Sequence, residues 1–248
     1  MQTDEATTAP THPAALDGRR TLDCPARRRL IGNLGGALTI LAAPALARAQ
    51  DIPPIRPATV FQPEGPFYPY DDMPSDQDAD LVRVAGLDAQ AQGQVTHLTG
   101  VVHGQLGEPV GSALVEIWQC DHTGRYLHRD DPNRDRPRDP GFQGYGRTLT
   151  DQGGAFRFRT LKPVPYSSPS PWGPIHRAPH IHVAVSTRGV RRLTTQLYVA
   201  GDPGNETDFA LLLMASPVQR QGIIRPYVPR NDIESGALAA HYDLVIAI

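Results

Sequence analysis

From Val95 onward the apolar residues fall into short runs, several alternating with polar ones, and glycine and proline turns separate them. Val95–Val102 is followed by Gly104 and then by Gly107-Glu108-Pro109. In Ala113–Cys120 the side chains of Leu114, Glu116, Trp118 and Cys120 share one face, and those of Val115, Ile117 and Gln119 the other, because strand side chains alternate. Arg147–Asp151 and Ala155–Leu161 flank Gln152-Gly153-Gly154, a hairpin signal. His180–Ser186, Leu193–Val199 and Tyr242–Ile248 complete the set. About seven short strands with turn signals and no convincing helix predict an all-β fold, an antiparallel β-sandwich spanning 95–248.

Residues 50–94 show little periodicity and are rich in proline, aspartate and glutamine. They are expected to form an irregular N-terminal arm lying across the sandwich. Within it, Phe67, Tyr68 and Tyr70 stand in a proline-fixed loop and need a surface to pack on. The charged, proline-rich stretch Arg129–Pro140 is expected to be exposed.

Residues 1–49 follow a different design. Arg27, Arg28 and Arg29 precede an apolar run from Leu34 to Ala43, and Ala45, Ala47 and Ala49 offer A-x-A cleavage sites. Basic cluster, apolar run and small residues make a bacterial export signal. The run is too short and glycine-rich for a stable membrane span. Paired arginines before a mildly apolar run are similar to the twin-arginine type, with the general secretory type as the alternative. A periplasmic or secreted protein is therefore expected.

The full chain carries 24 basic and 26 acidic residues. Removing 1–49 takes away six arginines and four acids, which leaves a net charge of about -4. Nothing in this balance suggests a nucleic-acid partner, which needs a basic face. Of the two cysteines, Cys24 and Cys120, the first lies in the signal, so no disulfide is expected in the mature chain.

His180-Ile181-His182 is the sharpest local signal. On a strand both imidazoles project to one side while Ile181 points to the other, which gives half of a metal site. Alone it stands about even with two plain strand histidines. Carboxylates as the other half would suit Fe(II) or Zn. Tyrosines would suit Fe(III), since a bound cation can hold a phenol, pKa about 10, as phenolate at neutral pH. Two phenolates and a hydroxide would balance the three positive charges of Fe(III). Tyr126, in Gly124-Arg125-Tyr126, and Tyr166, in Lys162-Pro163-Val164-Pro165-Tyr166, stand in rigid turns beside strands. A tyrosine ring packed on the sandwich end is the competing account of each.

Val115-Glu116-Ile117-Trp118-Gln119, Gly124-Arg125-Tyr126, Gly144-Tyr145-Gly146-Arg147, Lys162-Pro163, Pro165-Tyr166, His180-Ile181-His182 and Thr195-Gln196-Leu197-Tyr198 with Gly201-Asp202-Pro203 occur in this order. Together they resemble the intradiol ring-cleavage dioxygenases, and within that family most of all the iron-binding chains of the protocatechuate 3,4-dioxygenases. The likeness covers about residues 96–203. It implies that Tyr126, Tyr166, His180 and His182 are the four protein ligands of Fe(III) and that Tyr166 leaves when substrate binds. It also implies that Arg177 stabilises negative charge developing on the ring, and that Gln196 helps to position the substrate. The implied reaction splits a catechol-type ring between its two hydroxyl-bearing carbons with O2, giving a cis,cis-muconate-type diacid. The ring supplies the electrons, so no nicotinamide or flavin is called for. Arg177-Ala178-Pro179 in place of Arg-Pro-Ala, the serine and proline stretch after Tyr166, and Cys120 depart from the family pattern. They bear on the pocket and remove no ligand.

Two other accounts fit parts of the sequence. One is a transthyretin-like sandwich that binds without catalysis, since fold does not fix function. The other is a zinc hydrolase built from His180, His182 and a carboxylate such as Asp121. A long arm on a sandwich suits an oligomer, alone or with a second related chain.

Overall fold

A computed structural model describes residues 54–168, 170 and 173–248. The export signal of 1–49 lies outside the described residues. In chain order the strands are β1 (Val95–Gly104), β2 (Leu114–Trp118), β3 (Tyr145–Leu149), β4 (Ala155–Leu161), β5 (Tyr166–Ser168), β6 (Ile175–Arg177), β7 (His180–Thr187) and β8 (Val190–Val199). Then come helices α1 (Phe209–Met214) and α2 (Pro217–Ile223), followed by β9 (Ile224–Arg225), β10 (Val228–Pro229), β11 (Leu238–His241) and β12 (Leu244–Ile246).

The all-β sandwich expected from the alternation is present. One sheet runs β10-β11-β1-β12 with β4 paired to β1, and the other runs β3-β2-β7-β8-β9. The core lies between them: Leu98, Val102, Phe156 and Phe158 come from the first sheet, and Val115, Ile117, Ile181, Val183, Val185 and Leu197 from the second. Cutting a fully buried residue such as Ile181 or Leu197 back to alanine is expected to cost about 2–5 kcal/mol.

The pairing is not wholly antiparallel. β1 runs parallel to β11 along Thr96–Thr99 and to β12 along Val102–Gly104, and β8 runs parallel to β9. Alternation fixes which face of a strand is buried and leaves its partner and direction open. The two short helices also differ from the expected helix-free chain. α1 has only six residues, too few to show a helical period, and its run Phe209-Ala-Leu-Leu-Leu-Met is apolar throughout.

The arm is irregular, as expected, and it reaches the core. Leu81 and Val82 are fully buried, and Leu81 N–H donates to the Arg159 carbonyl at 2.8 Å. Farther back, Thr59 N–H donates to the Val245 carbonyl at 2.9 Å, and its hydroxyl oxygen accepts from Val245 N–H at 2.8 Å. The arm is thereby stitched to β12. Most of Arg129–Pro140 is exposed, but Asp131 and Asp139 turn inward. Among the described residues no helix is long and apolar enough to cross a membrane.

Candidate metal centre

β7 is buried on both faces over His180–Val185. Ile181, Val183 and Val185 enter the core, so His180 and His182 point to the other side, where arm and loops cover them. The ladder then chooses their neighbours. β7 pairs with β2 so that His182 lies opposite Trp118, and with β8 so that His182 lies opposite Gln196 and His180 opposite Tyr198. Residues directly opposite on one face touch. Trp118 accordingly stacks on His182, and Tyr198 lies beside His180.

Tyr126 reaches this face from the loop after β2. Asp121 Oδ1 accepts from the backbone N–H of Thr123 at 2.8 Å and of Arg125 at 3.1 Å, closing a turn in which Gly124 takes a positive φ of 84°. Asp131 Oδ2 accepts from Tyr126 N–H at 2.5 Å. Tyr166 opens β5, where it pairs directly with Arg177 of β6. That two-stranded ribbon carries both side chains to the same place.

Four atoms converge. Tyr126 Oη lies 3.1 Å from His182 Nε2, His182 Nε2 lies 3.2 Å from His180 Nε2, and His180 Nε2 lies 3.4 Å from Tyr166 Oη. Donor atoms that share one ion at about 2 Å stand about 3 Å apart, so the spacing fits a metal ion. His180 Nδ1 is 2.6 Å from the Ala178 carbonyl. A carbonyl only accepts, which places the proton on Nδ1 and leaves the Nε2 lone pair facing the cluster. All four side chains are buried.

The electrostatics follow from that burial. With only protein groups around them, both imidazoles are held well below their ordinary pKa, first by burial and then by Arg177 nearby; for His182 the charge of His180 precedes that of Arg177. Burial raises Tyr126 well above 10, with Tyr166 adding to the effect. Burial also pushes Tyr166 up, to about 12, against the pull of Arg177. The site thus keeps four neutral groups until a cation displaces the phenol protons.

Arg177 and Gln196 border the cluster. Arg177 Nη1 contacts Tyr166 Oη at 3.4 Å. Burial opposes its charge, but Tyr166, Asp208 and Tyr198 outweigh burial and hold the guanidinium above its usual pKa. Gln196 Oε1 accepts from Arg177 Nη2 at 2.5 Å and from Tyr198 Oη at 2.8 Å, while its Nε2 donates to the Pro63 carbonyl at 3.1 Å. Both ends of the Gln196 amide are therefore committed to protein groups.

The arm closes one side. Phe67 stacks on Tyr126 with centroids 4.7 Å apart, and Tyr68 meets Trp118 edge-on at 4.9 Å. A Cβ on Gly65, where φ is 76°, would come within 3.4 Å of His182 Cε1. Tyr68 is anchored by Glu116 Oε1, which accepts from its hydroxyl at 2.6 Å and from that of Tyr145 at 2.7 Å. Asp208, Glu116 and Tyr198 were not singled out from the sequence, for each acts through a partner distant in the chain; Asp131, only five residues from Tyr126, was missed inside a charged stretch. Asp121, the carboxylate considered for a zinc site, is used by its own loop, and its Oδ2 accepts from Asp139 N–H at 2.9 Å. Among the described residues no three histidine, cysteine, aspartate or glutamate side chains are grouped to hold an ion.

Comparison with known proteins shows the family of the chain. The sequence model of the family described as Dioxygenase matches residues 63–247. The protocatechuate 3,4-dioxygenase beta chain of Burkholderia cepacia is 34% identical over 192 residues, covering 73% of this chain and 76% of that one. Catechol 1,2-dioxygenase 2 of Acinetobacter lwoffii is 35% identical over 175 residues, covering 65% and 59%. The structure of catechol 1,2-dioxygenase from Acinetobacter sp. ADP1, inhibited by bound mercury, superposes with a TM-score of 0.58 at 29% identity, covering 77% of this chain and 63% of that one. The chain thus spans less than two thirds of these two catechol 1,2-dioxygenases.

Proposed function

The chain belongs to the intradiol ring-cleavage dioxygenases, an iron-dependent family of oxidoreductases, and from that premise we propose that it holds Fe(III) on Tyr126, Tyr166, His180 and His182 and opens a catecholic ring between its hydroxyls with O2. The observation that carries this is the convergence of the two phenol oxygens and two imidazole nitrogens at 3.1–3.4 Å. Bound there, Fe(III) would supply the positive charge that binds a catecholate dianion and draws electron density from its ring toward reaction with O2.

The protein groups do the rest. His180 is fixed by the Ala178 carbonyl and His182 by the face of Trp118, so neither imidazole has to reorganise. Tyr166 would be the ligand that gives way, its phenolate taking one of the two protons of the incoming catechol and hydroxide taking the other. Arg177, beside Tyr166, meets negative charge as it develops on the ring, where a fixed donor in a dry site acts most strongly. Gln196 holds Arg177 in place through its carbonyl oxygen. The arm, through Phe67 and Tyr68, keeps water from the Tyr126 and Trp118 side. The product is a cis,cis-muconate-type diacid.

Oligomer formation, alone or with a second related chain, belongs to the same proposal, as does export directed by residues 1–49. Exposed Leu213 and Val218 supply apolar surface for assembly.

The test is metal analysis with a visible spectrum, then oxygen uptake and product analysis with catechol, protocatechuate, hydroxyquinol and alkyl- or chlorocatechols. Bound iron, a red-brown phenolate charge-transfer band and a ring opened between the hydroxyls are expected. Iron-loaded protein that consumes no oxygen with any of these would overturn the activity. Cleavage beside the hydroxyls would overturn the tyrosine ligation.

A further inference from the structure

Asp208 stands at the N-terminus of α1, where its Oδ1 accepts from Leu211 N–H at 2.9 Å. Capping a six-residue surface helix needs one acceptor, which serine, threonine or asparagine provides without a charge. Asp208 nevertheless buries a whole carboxylate, its side chain wholly shielded from solvent. Burying a charge is costly unless it is paired and hydrogen-bonded. The second oxygen shows where the pairing lies. Oδ2 accepts from Arg177 Nε at 2.8 Å and from Ala178 N–H at 2.9 Å.

The guanidinium carries five N–H donors in a fixed plane. Nε is used by Asp208. Nη2 is used by Gln196 at 2.5 Å, with Tyr198 at 3.3 Å and Asp208 Oδ1 at 3.4 Å. Among the described residues Nη1 has one polar contact, the 3.4 Å approach to Tyr166. Two edges of the plane are thus locked away from the metal cluster, and the third faces it. Phe209, the residue after Asp208, stacks under the guanidinium with its centroid 5.1 Å from Cζ and limits tilting. Ala178 is held as well: its N–H is bound by Asp208, and its carbonyl accepts from His180.

We infer that Asp208 is a positioning residue that acts through Arg177, its carboxylate holding Nε and Nη2 so that Nη1 is presented to the reacting ring. This rests on the role given to Arg177 under the proposed function. Asp208 touches neither substrate nor metal ligand side chains, so its effect on rate should run through Arg177, while any effect through Ala178 and His180 would appear instead as a change in iron content.

A double-mutant cycle on the full-length, iron-loaded protein separates the possibilities, using Arg177→Leu, Asp208→Asn and the pair. Asparagine keeps a carbonyl oxygen for the helix cap and removes the charge. Asp208→Asn is expected to keep iron content and the visible band, to lower kcat about tenfold to a hundredfold, and to change KM much less. The pair should be no slower than Arg177→Leu alone. A readout independent of turnover comes from nitrogen-15 NMR of the metal-free protein, where the Arg177 Nε–H should exchange slowly in the wild type and rapidly in Asp208→Asn. Additive losses in the cycle, full activity of Asp208→Asn, or unchanged Nε–H exchange would each overturn the inference. If Asp208→Asn does not accumulate, Asp208→Ser keeps a cap oxygen and takes its place with the same expectations. If Arg177→Leu itself is fully active, the role proposed for Arg177 fails, and that outcome differs from an additive cycle.

Discussion

Trp118 lies flat against His182, ring centroids 4.9 Å apart and planes 9° from parallel. His182 Nδ1 is buried and has no protein hydrogen-bond partner among the described residues. His180 is aimed by a hydrogen bond, whereas His182 is aimed by a surface. Trp118→Leu should therefore weaken iron binding by about tenfold to a hundredfold, the usual cost of losing an outer partner of a ligand. Trp118→Phe should recover most of it. Competition with a coloured chelator reads both, and an unchanged affinity in Trp118→Leu would show that the stack does not orient the ring.

His180→Ala and His182→Ala should each abolish stable iron binding, while substitution of His122, His128 or His176 should not. The other histidines look elsewhere: His176 is exposed and bonds Ser167, His122 faces Asp139, and His128 touches the edge of Phe67. Metal analysis after dialysis distinguishes the two groups. Equal iron loss from His176→Ala would mean that the wrong histidines have been chosen.

Much of this site was legible in the sequence. Alternation put Glu116 and Trp118 on one face and Val115 and Ile117 on the other, and the structure keeps that division. The His-x-His spacing put two imidazoles on one side, and turn residues marked Tyr126 and Tyr166 as rigidly placed. Asp208 was not legible. It follows Gly204-Asn205-Glu206-Thr207 with no local pattern to mark it, and its pairing with Arg177 spans 31 residues. Asp131 was hidden differently: its partner Tyr126 is only five residues away, but it sits inside a charged stretch that is mostly exposed. Periodicity reports burial, and it is silent on partners that only the folded chain brings together.

Tyr166→Phe should still bind iron through Tyr126 and the two histidines. Its visible band should shift, because one phenolate is lost, and turnover should slow. Arg177→Leu should keep both iron and colour and lose rate by about a hundredfold to a thousandfold. Stopped-flow oxygen consumption together with the resting spectrum tests both variants. A Tyr166→Phe enzyme of wild-type rate would remove that residue from proton transfer.

Glu234 gives a pH dependence whose sign can be worked out. Hydrogen bonds from Arg159, at 2.6 and 2.8 Å, hold its carboxyl at about 2, below the ordinary 4.5. Arg159 also pairs with Asp80 of the arm at 3.0 Å. A depressed carboxyl contributes stability that is full above the unfolded-state pKa and is lost as pH falls through the folded-state pKa. The Glu234→Gln variant should therefore be less stable than wild type by about 1 kcal/mol near pH 7, allowing for solvent screening. The gap should narrow as pH drops from about 4.5 toward 2. Urea unfolding at several pH values measures it, and a gap that widens on acidification would contradict the assignment.

Export should depend on the arginines at 27–29. Changing all three to lysine should leave the protein in the cytoplasm if the twin-arginine route is used. Fractionation with an antibody to the chain checks this, and unchanged periplasmic yield would point to the general secretory route.

The clasp between Thr59 and Val245 joins positions 186 residues apart, and β1 takes its parallel partners from the same distal stretch. A nascent chain therefore cannot complete its first sheet before residues 238–246 have been made. Until residues 238–246 leave the ribosome, β1 has β4 but lacks both β11 and β12, and open edges invite pairing with neighbouring chains. Assembly of this sheet waits for residues 238–246, and their removal should show up as aggregation during synthesis rather than as a weakened enzyme.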